Sequence, residues 1–349
     1  MNKIRFISHV KTMLYAFVCI GGFACSSLTE KQTEAQSEIT ESKDPLPSWN
    51  DGPTKKAILS YVHEVTDRNS ASFIPKADRI ATLDNDGTLW TEKPMYVQLY
   101  FALDRVKAMA VDHPEWKNQQ PFQAVLEGDM QALMAQGEKG LVELIMTTHA
   151  GITTDQFETL VKDWIATAKH PTKNKVFTEL VYQPMLELLV YLRANGFKTF
   201  IVSGGGIDFM RPWAEGVYGI PRNQVVGSSF KIEYDYNDGK PVINRLPELD
   251  LNDDKEGKPV GIHRYIGSKP VFAVGNSDGD LQMLRWADSN KLKSFQLYIH
   301  HTDSVREWAY DRKSAVGHFD KGLDEATEKG WTVASMKDDW KVIYPFELK

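Results

Sequence analysis

Cysteine is almost absent from this sequence: only Cys19 and Cys25 occur among 349 residues. Both lie within the first 25 residues, and none follows. Residues 26–349 therefore offer no thiolate for a nucleophile, a disulfide or a zinc site. Any chemistry in that part of the chain must use oxygen and nitrogen groups.

Basic residues are not in excess, and no stretch of the chain is strongly basic. Lysine and arginine number 41 against 47 acidic residues, which gives a net charge of −6. This balance argues against nucleic acid as the main partner. With 42% hydrophobic and 25% charged residues, the composition is typical of a globular protein with room for a second domain. Nothing in the sequence indicates a protein partner.

Residues 1–25 differ in character from the rest. A basic beginning precedes an apolar, uncharged run over residues 13–24 that is too short for a typical transmembrane helix. This pattern predicts an export signal. The segment ends Gly22-Phe23-Ala24-Cys25, which resembles a bacterial lipobox except that Gly22 stands where leucine is usual. We expect Cys25 to be lipidated; a plainly cleaved signal or an uncleaved anchor is the alternative.

Residues 26–50 are polar and almost without large apolar side chains up to Trp49. They are rich in Glu, Ser, Thr and Gln, a composition that predicts a disordered tether. Such a spacer would connect a lipid anchor to a folded domain. We therefore expect an exported protein, either a cell-envelope lipoprotein or a periplasmic protein, with membrane attachment only through the anchor or signal.

An apolar run from Ile80 to Leu83 leads directly into Asp84, Asp86, Gly87 and Thr88. If the strand continues, alternate residues place Asp84 and Asp86 on the same side. Two carboxylates this close repel each other unless a cation lies between them or one is protonated. The pattern predicts a metal site with one nucleophilic and one acid/base aspartate; a solvated turn is the alternative.

Helical patterns fill residues 92–183, and no β-rich run interrupts them. Residues 51–91 and 184–349 alternate strands with helices instead, including buried strands at 198–202, 270–274 and 295–299. A hairpin is predicted at 230–243. The sequence therefore predicts an α/β fold with an all-helical insertion, or cap, placed immediately after the first strand.

Small or acidic residues follow two further strands. Ser203 and Gly204 follow one, and Asn276 and Asp280 follow the other. The carboxyl ends of parallel strands share one sheet edge, so these residues can meet Asp84 there. A carboxylate nucleophile, a hydroxyl with backbone N–H groups and a lysine together suit phosphoryl transfer. Lys258, before a proline at a helix start, is preferred over Lys255 and Lys269; His149, His300 and His301 are more typical of packing residues.

These residues carry a resemblance to the haloacid dehalogenase (HAD) superfamily. The chain has its four motifs in order: Asp84-Asn85-Asp86-Gly87-Thr88, Ser203-Gly204-Gly205, Lys258, and Gly275-Asn276-Ser277-Asp278-Gly279-Asp280-Leu281. The resemblance implies a Rossmann-like parallel sheet with a helical cap. It implies nucleophile Asp84, acid/base Asp86, phosphate binding by Ser203, Gly204 and Lys258, and Mg²⁺ held by Asp84, Asp86, Asn276 and Asp280.

Within that superfamily the chain is most similar to phosphoserine-phosphatase-type members, with two departures. Asn276 stands where those proteins usually have a metal-binding aspartate, so Asp278 or Asp280 could compensate. Glu92 lies one residue early for the glutamate that those proteins use for the substrate amine. We expect a Mg²⁺-dependent phosphatase of a small phosphorylated metabolite. A phosphotransferase or phosphomutase, or a non-catalytic binding lipoprotein, is the alternative.

Overall fold

The computed structural model describes residues 44–348, which form a seven-stranded sheet with helices around it. The signal and most of the tether lie outside the described residues. The strands are β1 Ile80–Leu83, β2 Lys198–Gly206, β3 Val225–Asn237, β4 Lys240–Leu251, β5 Phe272–Gly275, β6 Phe295–His300 and β7 Thr332–Ser335. The helices are α1 Pro53–Thr66, α2 Val97–Met109, α3 Phe122–Glu127, α4 Met130–Ala135, α5 Gly137–His149, α6 Thr154–Ile165, α7 Gln183–Ala194, α8 Ile207–Tyr218, α9 Gly257–Tyr265, α10 Leu281–Asp288, α11 Lys321–Lys329 and α12 Met336–Asp339.

The strand order is β4-β3-β2-β1-β5-β6-β7, and every neighbouring pair is parallel except β3 with β4. Alternate residues of the central strands pack into two separate apolar clusters. In β5, Phe272 and Val274 belong to one cluster and Ala273 belongs to the other. Both faces of the sheet are therefore buried, which is why its central strands read as unbroken apolar runs. The predicted α/β fold is confirmed; β7 was not predicted.

Residues 92–182 contribute helices α2 to α6 and none of the seven strands. One of these helices, α6, begins with a capping box in which Thr153 and Gln156 satisfy each other's backbone N–H groups. Within the predicted helical block, residues 122–135 form two short helices, α3 and α4, because Gly128 adopts a left-handed conformation between them. Among the described helices, none has the length and apolar character needed to cross a membrane.

The β3–β4 hairpin is longer than predicted and joins the sheet to the cap. Asp238 and Gly239 both have positive φ, which suits the tight turn between two twisted strands. Along β4, Arg245 exchanges backbone hydrogen bonds with the cap: its N–H donates to Ile152 O at 3.0 Å, and its carbonyl accepts from Gly151 N at 2.9 Å. The cap is thus fixed at the sheet's outer strand as well as by its two chain connections.

The predicted tether, residues 26–50, overlaps the folded part of the chain. Leu46 and Trp49 are fully buried, and the Trp49 indole N–H donates to Pro184 O at 2.9 Å. Trp49 also packs edge-on against Trp340. The folded unit therefore begins at Asp44, which corrects the predicted boundary at residue 50. Long-range aromatic packing fixes this short stretch, which was predicted as the end of the tether.

Candidate active site

Three strand ends meet at one edge of the sheet. Strand β1 lies between β2 and β5, and Leu83 pairs with Ile201 on one side and Val274 on the other. The chain leaves β1 at Asp84, whose N–H still donates to Val274 O at 2.9 Å. The residues that follow β1, β2 and β5 therefore lie side by side, as the parallel topology requires.

Lys258 is the cation at this edge. Its ammonium group lies 2.6 Å from Asp84 Oδ1 and 2.7 Å from Asp280 Oδ1, and it donates to Val202 O at 2.8 Å. Burial lowers the pKa of Lys258, but the two carboxylates outweigh burial and raise it, so the lysine stays charged. Of the competing lysines, Lys255 is exposed, and Lys269 is half-buried and bonds to Ser289.

Asp84 and Asp86 occupy different environments. Asp84 is buried beside Lys258; burial raises the pKa of Asp84 and the neighbouring Asp280 adds to this, while Lys258 acts in the opposite direction. Asp86 is partly buried, and burial raises its pKa to about 6. A carboxyl group with a pKa near neutrality is suited to giving and taking a proton.

Trp90 holds the Asp86 carboxylate in place. Its indole N–H donates to Asp86 Oδ1 at 3.0 Å, and its ring stacks on Trp213 with centroids 4.5 Å apart. Sequence reasoning did not identify this role. Trp90 is buried in the core and also holds Asp86, and its proximity to Asp86, four residues earlier, was the available signal.

The second motif lies within β2 rather than after it. Ser203 is buried, and its hydroxyl accepts from the Gly205 N–H at 3.1 Å, while Gly204 is exposed. A Cβ atom at Gly205 would lie 3.3 Å from Ser203 Oγ and 3.6 Å from Asp86 Oδ2. The hydroxyl and the acid/base candidate thus approach the same glycine.

Two cap residues reach this loop. The Gly206 N–H donates to Gln98 Oε1 at 2.7 Å, so the other end of that amide is its NH₂ group, 3.1 Å from His149 Nε2. Because an NH₂ group only donates, His149 Nε2 accepts, and its Nδ1–H faces Thr148 Oγ1 at 2.7 Å. His149 is fully buried and acts through Gln98.

His149 gives a stability prediction. Burial, aided by Arg245 and Arg105, lowers its pKa to about 3, against about 6.5 in an unfolded chain. Below pH 6.5 the unfolded chain binds a proton that the folded chain does not, so stability should fall by about 1.4 kcal/mol per pH unit toward pH 3. We expect His149→Gln to flatten this slope in urea unfolding between pH 7 and pH 5. The exposed control His63→Gln should keep the wild-type slope; equal slopes in all three proteins would refute the assignment.

The acidic loop after β5 sends its side chains in different directions. Asp280 Oδ2 accepts from the N–H groups of Asn276 and Ser277, at 2.9 and 3.1 Å, while Oδ1 faces Lys258. Asp278 caps α11, accepting from the N–H groups of Asp320 and Gly322 at 3.0 and 2.8 Å. Asn276 turns toward the first motif, where Thr88 Oγ1 donates to its Oδ1 at 3.3 Å.

A buried polar group behind the first motif was not predicted. His301 Nε2–H donates to the Gly87 carbonyl at 2.7 Å, and its Nδ1 lies 3.4 Å from Glu307 Oε2. Glu307 Oε1 accepts from Thr91 Oγ1 at 2.9 Å. These contacts fix the turn that carries both aspartates, so His301 positions that turn. His300 instead lies near Asp311. Glu92 is buried in the same region, and burial raises its pKa to about 7.

The donors at this edge fit Mg²⁺. Among residues 44–348, no three histidine, cysteine, aspartate or glutamate side chains gather as a ready cation site. What the site offers is Asp84, the main-chain carbonyl of Asp86 and the Asn276 amide oxygen. Mg²⁺ in phosphate-processing sites is usually held by one or two carboxylates, with waters and substrate phosphate completing the set. These hard oxygen donors match that preference.

The sequence model of the haloacid dehalogenase-like hydrolases matches residues 81–285, and the chain belongs to this family. The matched region includes all four motifs and the whole cap. It therefore accounts for the order in which strands, cap and catalytic motifs follow one another. A search of curated protein sequences gives no match.

Solved structures of similar fold are distant in sequence. A functionally unknown protein from Anaerococcus prevotii is 16% identical, with 80% of this chain and 91% of that chain covered and a TM-score of 0.48. A phosphoserine phosphohydrolase-like protein from Francisella tularensis is 17% identical, covering 63% and 87%, with a TM-score of 0.34. A probable phosphoserine phosphatase from Vibrio cholerae is 14% identical, covering 66% and 58%, with a TM-score of 0.35.

Proposed function

We propose that this protein is a Mg²⁺-dependent phosphatase that hydrolyses small phosphomonoesters through a phosphorylated Asp84. The observation that carries the proposal is the 2.6 Å contact between Asp84 Oδ1 and the buried Lys258 ammonium. A carboxylate held by a permanent cation at the end of a parallel strand is placed for attack on phosphorus. The same cation can neutralise charge on the phosphoryl oxygens as it develops.

The residues divide the reaction into two displacements. In the first, an Asp84 oxygen bonds to phosphorus, the ester P–O bond breaks, and Asp86 gives its proton to the leaving alkoxide. In the second, Asp86 takes a proton from water, the water oxygen bonds to phosphorus, and the bond to Asp84 breaks. Inorganic phosphate leaves and both aspartates return to their starting states. The partly buried Asp86, with a pKa near 6, suits both proton transfers.

Ser203 and Gly204 would bind phosphate oxygens; Gly204 is exposed, and Ser203 Oγ and Asp86 Oδ2 both lie near Gly205. Asp84, the Asp86 carbonyl and Asn276 would hold Mg²⁺, which when bound neutralises phosphate charge. The sequence also suggested Asp280 as a ligand. Because its carboxylate is engaged by Lys258 and two loop N–H groups, we assign it to positioning the lysine.

The test of this function is hydrolysis of p-nitrophenyl phosphate by the purified protein, with Mg²⁺ and with a chelator. We expect turnover with Mg²⁺ and loss of most activity without it. A panel of phosphorylated metabolites, phosphoserine included, then ranks the substrates. Product analysis separates the alternatives: a hydrolase releases inorganic phosphate, whereas a phosphotransferase moves it to an added alcohol. No phosphate release or transfer with any ester would favour a binding protein.

We also propose that the protein is exported and lipidated at Cys25. The basic start, the short apolar run and the small residue before Cys25 support this proposal. These residues lie outside the part of the chain that the structure describes. Export agrees with a folded domain without cysteine, and it favours a substrate found in the cell envelope.

A further inference from the structure

Glu92 is a buried carboxylate in contact with the acidic loop. Only 2% of the residue is exposed, and its Oε1 lies 2.7 Å from Asn276 Nδ2 and 2.7 Å from the Tyr310 hydroxyl. Both neighbours donate to this one oxygen. Because a carboxylate oxygen accepts, the Asn276 amide must present its NH₂ group to Glu92.

This contact decides which way the Asn276 amide faces. Once its nitrogen is held by Glu92, its oxygen Oδ1 must lie on the other side of the planar group. There Thr88 Oγ1 donates to it at 3.3 Å, which uses one of its two lone pairs. The backbone N–H of Asn276 is held separately by Asp280 Oδ2 at 2.9 Å. Glu92 therefore leaves the amide oxygen oriented and able to accept a further partner.

The pair also lies directly against the loop that carries the two catalytic aspartates. A Cβ atom at Gly87 would come within 2.1 Å of Asn276 Nδ2 and 2.4 Å of Glu92 Oε1, so only glycine fits there. On the far side, a Cβ atom at Gly317 would come within 2.1 Å of Glu92 Oε1. Glu92 is thus enclosed between two loops and brings a carboxyl group to a neutral amide.

We propose that Glu92 and Asn276 work as one unit of the cation site. Asn276 Oδ1 is the ligand, and Glu92 is a positioning residue whose ionised form fixes the amide and supplies the negative charge that an asparagine lacks. This inference rests on the proposed function only in assuming that the site binds a divalent cation. It explains why a neutral residue suffices in the acidic loop of this chain.

The experiment measures Mn²⁺ binding to the full chain, by calorimetry and by electron paramagnetic resonance, without substrate. Glu92→Gln should weaken Mn²⁺ binding about 10–100-fold, the usual effect of losing a partner that orients a metal ligand. Tyr310→Phe is the matched control: it removes the other hydrogen bond to the same oxygen without changing charge. Its Mn²⁺ affinity should stay within about threefold of wild type.

An exchange of the two groups gives the decisive variant. Asn276→Asp alone places two carboxylates in contact and should lower the melting temperature of the metal-free protein. The double variant Glu92→Gln/Asn276→Asp moves the charge onto the loop and reverses the hydrogen bond, so it should recover Mn²⁺ affinity to within about threefold of wild type. The proposal fails if Glu92→Gln lowers only the melting temperature, if Tyr310→Phe weakens Mn²⁺ binding equally, or if the exchange does not recover affinity.

Failure of this inference and failure of the proposed function give different results. If wild type releases phosphate and Glu92→Gln binds Mn²⁺ as tightly as wild type, the proposed phosphatase activity stands and the proposed role of Glu92 fails. If Mn²⁺ binding depends on Glu92 and Asn276 but no ester releases phosphate, the proposed role of the pair stands and the proposed phosphatase activity fails. Absence of Mn²⁺ binding in wild type would overturn the pair's role outright.

Discussion

Asp84→Asn should abolish turnover, whereas Asp86→Asn should slow it by about 10²–10⁴-fold, the typical effect of losing one general acid/base. Asp84 is the only one of the two within 2.6 Å of the Lys258 ammonium, and it supplies the attacking oxygen. An amide cannot form the acyl phosphate, so no intermediate can appear. Asp86→Asn keeps the main-chain carbonyl for the metal and loses only proton transfer.

Rapid quench with a radiolabelled phosphate ester separates these two roles. Wild type should carry acid-stable, hydroxylamine-sensitive label, and Asp84→Asn should carry none. Asp86→Asn, given an ester with a good leaving group, should form the label and lose it slowly. Asp163→Asn, on the exposed surface of α6, is the matched control and should behave as wild type. Label on Asp84→Asn equal to wild type would overturn the mechanism.

Of the substitutions predicted here to affect stability, Lys258→Met should lower the free energy of unfolding most. The ammonium is 1% exposed and faces two carboxylates and the Val202 carbonyl. Removing one member of a buried ion pair typically costs about 3–5 kcal/mol, because the remaining charge is left in a poorly solvating interior. Catalysis should be lost as well, because the ammonium group that contacts Asp84 Oδ1 is removed. The deficit should shrink as the pH falls, because protonation of Asp84 removes one uncompensated charge.

Urea unfolding at pH 7 and pH 5 measures this effect. Lys255→Gln is the control, because Lys255 is three residues away, exposed, and was a competing candidate in the sequence. It should change the free energy of unfolding by less than about 0.5 kcal/mol, as surface substitutions usually do. A Lys258→Met protein within about 1 kcal/mol of wild type would contradict the buried charge network described here.

Features that depend on a few neighbouring residues were predictable from the sequence. The mainly apolar character of β1, β5 and β6 follows from burial on both faces of a parallel sheet. The start of α6 follows from the reciprocal Thr153 and Gln156 capping pattern, and the hairpin turn follows from Asp238-Gly239. The motif order predicted which strand ends would meet, because a parallel sheet brings carboxyl ends to one edge.

What only the tertiary structure decided is which side chains pair across long sequence distances. Lys258 and Asp84 are separated by 174 residues, and Asn276 and Glu92 by 184. No local pattern marks such partners, because the contact depends on how the acidic loop, α9 and the cap entry pack together. For the same reason the contact between Asp280 and Lys258 was not indicated by the sequence.

Burial was the other property that composition could not decide. Residues 44–50 were predicted as part of the polar tether, yet Trp49 reaches the Pro184 carbonyl and the ring of Trp340. The sequence by itself determined the class of fold, the order of the motifs and the candidate nucleophile, since these follow from local apolar runs and from residue types. The partners of each charge were decided by packing, because in a buried site the free energy of a charge depends on neighbours that only the folded chain supplies.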